Sequence, residues 1–139
     1  MGEIGVQTYR LSIAWPRLFP LGAGQINEEG IAFYDRLLDE LVGAGIRPCI
    51  TLYHWDLPQA LQDVGGWANR DVVYRFADYA TPVFDRLGDR VDRWLTLNEP
   101  LIFLKFGHFD GLMAPGFKDP AITASATRHA GLPRKRRRW

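Results

Sequence analysis

Glu99 stands between Asn98 and Pro100, just past the apolar run 91–97. A carboxyl group held at a strand end among aromatic residues is desolvated, which raises its pKa and suits it to general acid catalysis. Asn98 beside it offers an amide to a substrate hydroxyl. The same residues also suit a helix start, with Glu99 favouring the N-terminus of the helix that follows, and both readings stay open here. His54 closes the run 46–53 and is followed by Trp55 and Asp56. A lone histidine is often a structural hydrogen-bonder, and a tryptophan is as readily core packing as a stacking face for the C–H surface of a sugar ring. Arg10 lies inside the first extended segment, where its charge needs a carboxylate partner or an exposed face. Cys49, within an apolar run, reads as a buried core thiol.

The elements that must position these groups follow from periodicity. Residues 6–15 alternate loosely and predict a strand stopped by Pro16. Asn27, Glu28 and Glu29 predict a helix start, and Ile31, Tyr34, Leu37, Leu38, Leu41 and Val42 form one apolar stripe closed by Gly43 and Gly45. Residues 46–53 predict a strand buried on both faces, of the kind found in parallel sheets. Pro58 suits a short helix ending near Gly65 and Gly66. Asn69 is expected to cap a second long helix with a stripe from Val72 to Leu87, kinked at Pro82 and ended at Gly88. Residues 91–97 predict a third strand.

Strand, helix, strand, helix, strand is the pattern of parallel βαβ units with right-handed crossovers, so the fold class is α/β. The expected strands end in Trp15, in His54, Trp55 and Asp56, and in Asn98 and Glu99. Such groups at the carboxyl ends of parallel strands are where an α/β barrel builds its active site. A doubly wound sheet would carry a Gly-rich phosphate turn, and no strand exit here has one.

Length and composition bound the remaining possibilities. The 139 residues amount to about one domain. With 47% apolar and 24% charged residues the chain is globular rather than disordered. No apolar run approaches the ~20 residues of a membrane span, so no membrane partner is expected. One cysteine excludes an internal disulfide, and His54, His108 and His129 leave little for a metal site. Residues 134–138 hold five of the 17 basic groups, leaving 12 against 16 acidic ones. Nucleic acid is therefore not an expected partner of the body, and any affinity for polyanions belongs to the tail. The opening residues carry no basic and apolar leader, which makes the cytoplasm the expected compartment.

Four motifs in order then become recognisable: Tyr-Arg-Leu-Ser-Ile-Ala-Trp at 9–15, Thr-Leu-Tyr-His-Trp-Asp-Leu-Pro at 51–58, Gly-Gly-Trp-Ala-Asn at 65–69 and Thr-Leu-Asn-Glu-Pro at 96–100. Together with the stretch from Gly107 to Gly116, they resemble glycoside hydrolase family 1, the retaining β-glucosidases and β-galactosidases. The resemblance implies a partial (β/α)8 barrel covering roughly barrel strands 2–4, acting on a β-glucoside or oligosaccharide substrate with no cofactor. It implies that Glu99 is the acid/base and that Asn98 binds the sugar 2-hydroxyl. It further implies that His54 binds a sugar hydroxyl, that Trp55 supports the pocket wall, and that Arg10 pairs with the nucleophilic carboxylate.

Departures from the family bear on activity. A retaining mechanism needs two carboxyl groups ~5–5.5 Å apart. The family's nucleophile lies in a Thr-Glu-Asn-Gly motif, which this sequence lacks. A non-catalytic sugar-binding piece is therefore the alternative reading. An inverting mechanism using Asp56 or Asp110, or a different clan of barrel glycosidase, is weakly motivated. The opening residues resemble the end of the first barrel helix, so the first strand is expected to be absent. Residues 1–125 are expected to form the partial barrel. Residues 126–139 are expected to be a divergent basic tail, disordered or produced by a shifted reading frame or artificial terminus near residues 125–130. Three strands cannot close a barrel, so the open edges predict marginal stability or self-association.

Overall fold

The computed structural model describes Met1 and residues 4–131. Three parallel strands, β1 (Thr8–Ser12), β2 (Arg47–Tyr53) and β3 (Arg93–Leu97), form one sheet in the order β1-β2-β3. The registers Arg10↔Cys49, Ser12↔Thr51, Thr51↔Leu95 and Tyr53↔Leu97 align the carboxyl ends of the strands. Because side chains alternate along a strand, Arg10, Ser12, Thr51 and Leu95 share one face. Ile50 and Leu52 point to the other face, where the main core lies.

Two long helices cover that core. Helix α2 (Glu28–Gly43) connects β1 to β2, and its apolar stripe buries Ile31, Tyr34, Leu38 and Leu41. The expected cap is present, since the Asn27 side chain accepts from the Glu29 N–H at 3.2 Å. At the other end Gly45, with φ +72°, turns the chain, and the N–H groups of Gly45 and Ile46 return to the carbonyls of Val42 and Leu41. Helix α4 (Val72–Leu87) connects β2 to β3 and buries Val72, Phe76, Tyr79, Ala80, Val83 and Leu87. Strand β2 is buried from Pro48 to Tyr53, as expected of a central parallel strand.

Several boundaries differ from the sequence reading. The first strand stops at Ser12, and Trp15 opens a one-turn helix, α1 (Trp15–Leu18), with Pro16 in its first turn. Trp15 is fully buried and stacks on Tyr79 at 4.8 Å, so it belongs to the core and not to a strand-end cluster. Asn69 does not cap α4; Asp71 occupies that position. Asn69 instead accepts from the Asp71 N–H and donates to the Val64 carbonyl, fastening the turn after the short helix α3 (Gln59–Asp63). Helix α4 runs through Pro82 to Leu87.

Helix α5 (Pro100–Leu104) begins directly after Glu99 and passes into a five-residue π-helical turn at Lys105–Phe109. The loop that follows packs back on that turn so closely that a Cβ at Gly107 would lie 2.6 Å from the Ala114 carbonyl oxygen. Helix α6 (Pro120–Gly131) then buries Ala126, His129 and Ala130, and His129 Nδ1 lies 2.9 Å from the Trp67 carbonyl. Of the tail expected over 126–139, residues 126–131 continue this packed helix rather than a disordered segment. The basic run at 134–138 lies outside the described residues.

The Tyr79 hydroxyl fastens α4 to the ends of two strands, donating to the Leu52 carbonyl at 2.8 Å and approaching the Ile13 carbonyl at 3.3 Å. Replacing Tyr79 with Phe leaves both buried carbonyls short of a donor. The substitution is expected to cost about 1–2 kcal/mol in denaturant unfolding; an unchanged midpoint would show that the hydroxyl ties nothing together.

Burial lowers the pKa of His108 below its ordinary 6.5, against the opposing pull of the Phe103 carbonyl. The unfolded ring therefore takes up a proton at a higher pH than the native ring, so stability is lost as pH falls below that value. The thermal midpoint is expected to drop between roughly pH 7.5 and about 6, and to drop less in His108→Gln. Parallel profiles for the two proteins would contradict this.

Candidate active site

The carboxyl ends of the three strands bring Arg10, His54, Trp55 and Asn98 of the predicted site into one hydrogen-bonded cluster, which the Glu99 side chain does not join. Arg10 projects from β1 and donates from Nε to Thr51 Oγ1 at 3.1 Å and from a terminal nitrogen to Asn98 Oδ1 at 2.5 Å. Its partners are thus a hydroxyl and an amide, and the Arg10 residue is exposed. Asn98, only 7% exposed, presents Nδ2 to His54 Nε2 at 3.2 Å. The other ring nitrogen of His54 lies 2.9 Å from Ser12 Oγ. Trp55 Nε1 donates to the Asn98 carbonyl at 2.9 Å, and the Asn98 N–H donates to the Tyr53 carbonyl at 2.9 Å.

These contacts fix proton positions in sequence. A guanidinium only donates, so the atom facing Arg10 is the amide oxygen of Asn98, and the amide nitrogen faces His54. An amide nitrogen only donates, so His54 Nε2 accepts and the ring proton sits on Nδ1, directed at Ser12. Ser12 and Thr51 were not singled out from the sequence; the only signal available was their register on the face that carries Arg10.

Glu99 and Trp55 are the two non-glycine residues with positive φ among the described residues, at 39° and 79°. Left-handed backbone is costly for side chains of this size, and it persists where the surroundings over-determine it. Glu99 occupies the N-cap position of α5, where its carbonyl accepts from the Ile102 N–H at 2.9 Å, but its carboxylate makes no capping hydrogen bond. Glu99 is exposed, and these elements do not provide the desolvating aromatic enclosure expected for it. Asp56 behaves in the opposite way. Burial pushes its carboxyl up, backbone N–H groups only partly offset this, and its Oδ1 has no hydrogen-bond partner.

A parallel βα array with a polar cluster across its strand ends is the arrangement of an α/β-barrel enzyme. The family model for glycosyl hydrolase family 1 matches residues 1–137, and the chain belongs to that family. It is 55% identical over 119 residues to β-glucosidase A of Acetivibrio thermocellus, covering 86% of this chain and 27% of that protein. It is 51% identical over 123 residues to human lactase/phlorizin hydrolase, covering 88% of this chain and 6% of that one. Among solved structures, the family 1 β-glucosidase from Thermotoga maritima superposes with a TM-score of 0.91 at 47% identity, over 92% of this chain and 29% of that one. Structures of that enzyme include complexes with deoxynojirimycin and glucoimidazole. The chain spans roughly a quarter of the length of the curated β-glucosidases it matches. The expected membership of glycoside hydrolase family 1 is met.

Backbone strain at Glu99 predicts a trade between stability and the carboxyl group. Glu99→Gly relieves the left-handed conformation and is expected to raise stability by about 1 kcal/mol in denaturant unfolding. Destabilisation by a similar amount would mean that the Glu99 side chain supports the fold.

Proposed function

We propose that this chain carries the acid/base half of a retaining β-glycosidase site that cleaves terminal β-D-glucosyl residues, with its three strands corresponding to barrel strands 2–4. The reading rests chiefly on Glu99, held in strained left-handed backbone immediately beyond an Asn98 whose polar groups are all engaged. That combination fixes the Glu99 backbone at the strand ends, from where its carboxyl group can reach a leaving oxygen, as proton transfer demands. Glu99 protonates the glycosidic oxygen as the bond to the sugar breaks, and afterwards accepts a proton from the water that attacks the anomeric carbon.

Asn98 and His54 supply a ready place for a sugar hydroxyl. Their facing atoms are a donor, Nδ2, and an acceptor, Nε2, 3.2 Å apart. A hydroxyl both donates and accepts, so it can replace that contact by accepting a hydrogen bond from Nδ2 and donating one to Nε2. Trp55 walls the site through its bond to the Asn98 carbonyl. Arg10 orients the amide and, facing the strand-end opening, is the group that would pair with a second carboxylate. That carboxylate, the nucleophile, has no counterpart motif in this sequence.

The test is hydrolysis of a chromogenic aryl β-glucoside by the purified chain beside Glu99→Gln. Loss of a general acid is expected to lower turnover by about 10²–10⁴-fold. Equal turnover in both proteins would remove Glu99 from the mechanism. Absence of turnover in the wild-type chain would favour the non-catalytic sugar-binding reading.

A further inference from the structure

The register of the sheet surrounds Cys49 with arginines. Arg10 of β1 and Arg93 of β3 are its partners on the two flanking strands, and Arg47 stands two residues earlier on β2 itself. Residues two apart on a strand share a face, as do registered neighbours, so all three arginines rise from the face turned away from the main core. All three are exposed.

These charges are not offset within the chain. The side chains of Arg47 and Arg93 make no hydrogen bond or ion pair among the described residues. Arg10 uses Nε and one terminal nitrogen on Thr51 and Asn98, and its other terminal nitrogen has no partner. None of the strands Thr8–Ser12, Arg47–Tyr53 and Arg93–Leu97 contains an aspartate or glutamate. The helical side of the molecule differs, because Arg86 and Arg90 there each bond carboxylates of α2.

Spacing and charge together define what fits. Strands ~4.8 Å apart with ~3.3 Å per residue place the three Cα atoms roughly 8–10 Å from one another. Cys49, at the centre, is small and only 8% exposed, so no bulky side chain stands between the guanidinium groups. An apolar ligand would have to desolvate three charges. A small anion with several oxygens instead gives each planar fork a pair of acceptors and neutralises cations that repel one another.

We propose that Arg10, Arg47 and Arg93 form a binding site for a small oxyanion carrying two or more negative charges. Arg47 and Arg93 open their strands, so the site lies toward the amino ends of the sheet and shares only Arg10 with the strand-end cluster. It does not depend on the glycosidase reading.

The experiment follows the backbone amide resonances of the 139-residue chain by NMR, at constant ionic strength, during titration with pyrophosphate and separately with citrate. Saturable movement at Arg47, Cys49 and Arg93 is expected, and saturation by one anion alone identifies phosphoryl or carboxylate oxygens as the preferred ligand. The apparent Kd is expected to rise about tenfold or more in the Arg47→Gln, Arg93→Gln double variant, because charge-assisted bonds are lost. Arg36→Gln, at an exposed position of α2, is expected to leave it unchanged. Arg93→Gln alone serves if the double variant does not fold. Movement that fails to saturate with either anion overturns the proposal, as does an unchanged Kd in the variant. Saturation confined to the basic run at 134–138 overturns it too, since the anion would then belong to that run.

Discussion

Asn98 uses every hydrogen-bonding group it has, and the strand-end cluster depends on that. Its N–H reaches Tyr53, its carbonyl receives Trp55, its side-chain oxygen receives Arg10 and its side-chain nitrogen faces His54. One buried residue thereby joins β1, β2 and the turn after β2 at the point where β3 ends. Because the Arg10 guanidinium cannot accept, it sets the orientation of the amide, and the amide nitrogen turns toward His54 Nε2. A satisfied network of this kind is stiff, and a partly satisfied one is costly, so its members are not independently replaceable.

The platform beneath this cluster is built by the opposite face of the sheet. Trp15 stacks on Tyr79 at an interplanar angle of 9°, and the Tyr79 hydroxyl ends on the carbonyls of β1 and β2 just below the site. The helices are held in register by ion pairs that contribute more to geometry than to stability. Arg90, 19% exposed, bonds Asp35 and Asp39 of α2 from the turn after α4, whereas the Arg86–Glu28 pair is half-exposed and screened. The sheet ends at β1 on one side and β3 on the other, so among the described residues the site lies open across strand ends rather than enclosed.

What the sequence disclosed was what repeats or caps. The stripe from Ile31 to Leu41, the Asn27 cap and the apolar run of β2 are local signals, and the elements they predict formed with boundaries shifted by only a few residues. His54, Trp55 and Asn98 were placed together by the order of strands and helices, and Arg10 joined them through the family resemblance. Register was the part that could not be read. Ser12 enters the site because it lies opposite Thr51, and Trp15 leaves it because the chain turns into α1 two residues after Ile13. Asn69 looked like a cap because its side chain does accept a backbone N–H two residues on; only the start of α4 separates that turn from a helix cap. Helix α6 carries a weak stripe of small residues, and what holds it is contact with the turn around Trp67, a non-local partner.

The two strained residues make sense only against this background. Trp55 and Glu99 lie in left-handed backbone on either side of the same hydrogen bond, one donating to the Asn98 carbonyl and the other attached to it through the chain. Relaxing Glu99 would swing the carbonyl that Trp55 needs, and relaxing Trp55 would withdraw the indole that holds the carbonyl in place. Each conformation is therefore maintained by the other, with the Asn98 side chain fixing the point between them. Strain of this order, ~1–3 kcal/mol for each residue, is tolerable in a fold whose core is satisfied elsewhere. Its result is a pair of Cα–Cβ bonds whose directions are set by the backbone, and at Trp55 the indole is held as well by its hydrogen bond to the Asn98 carbonyl.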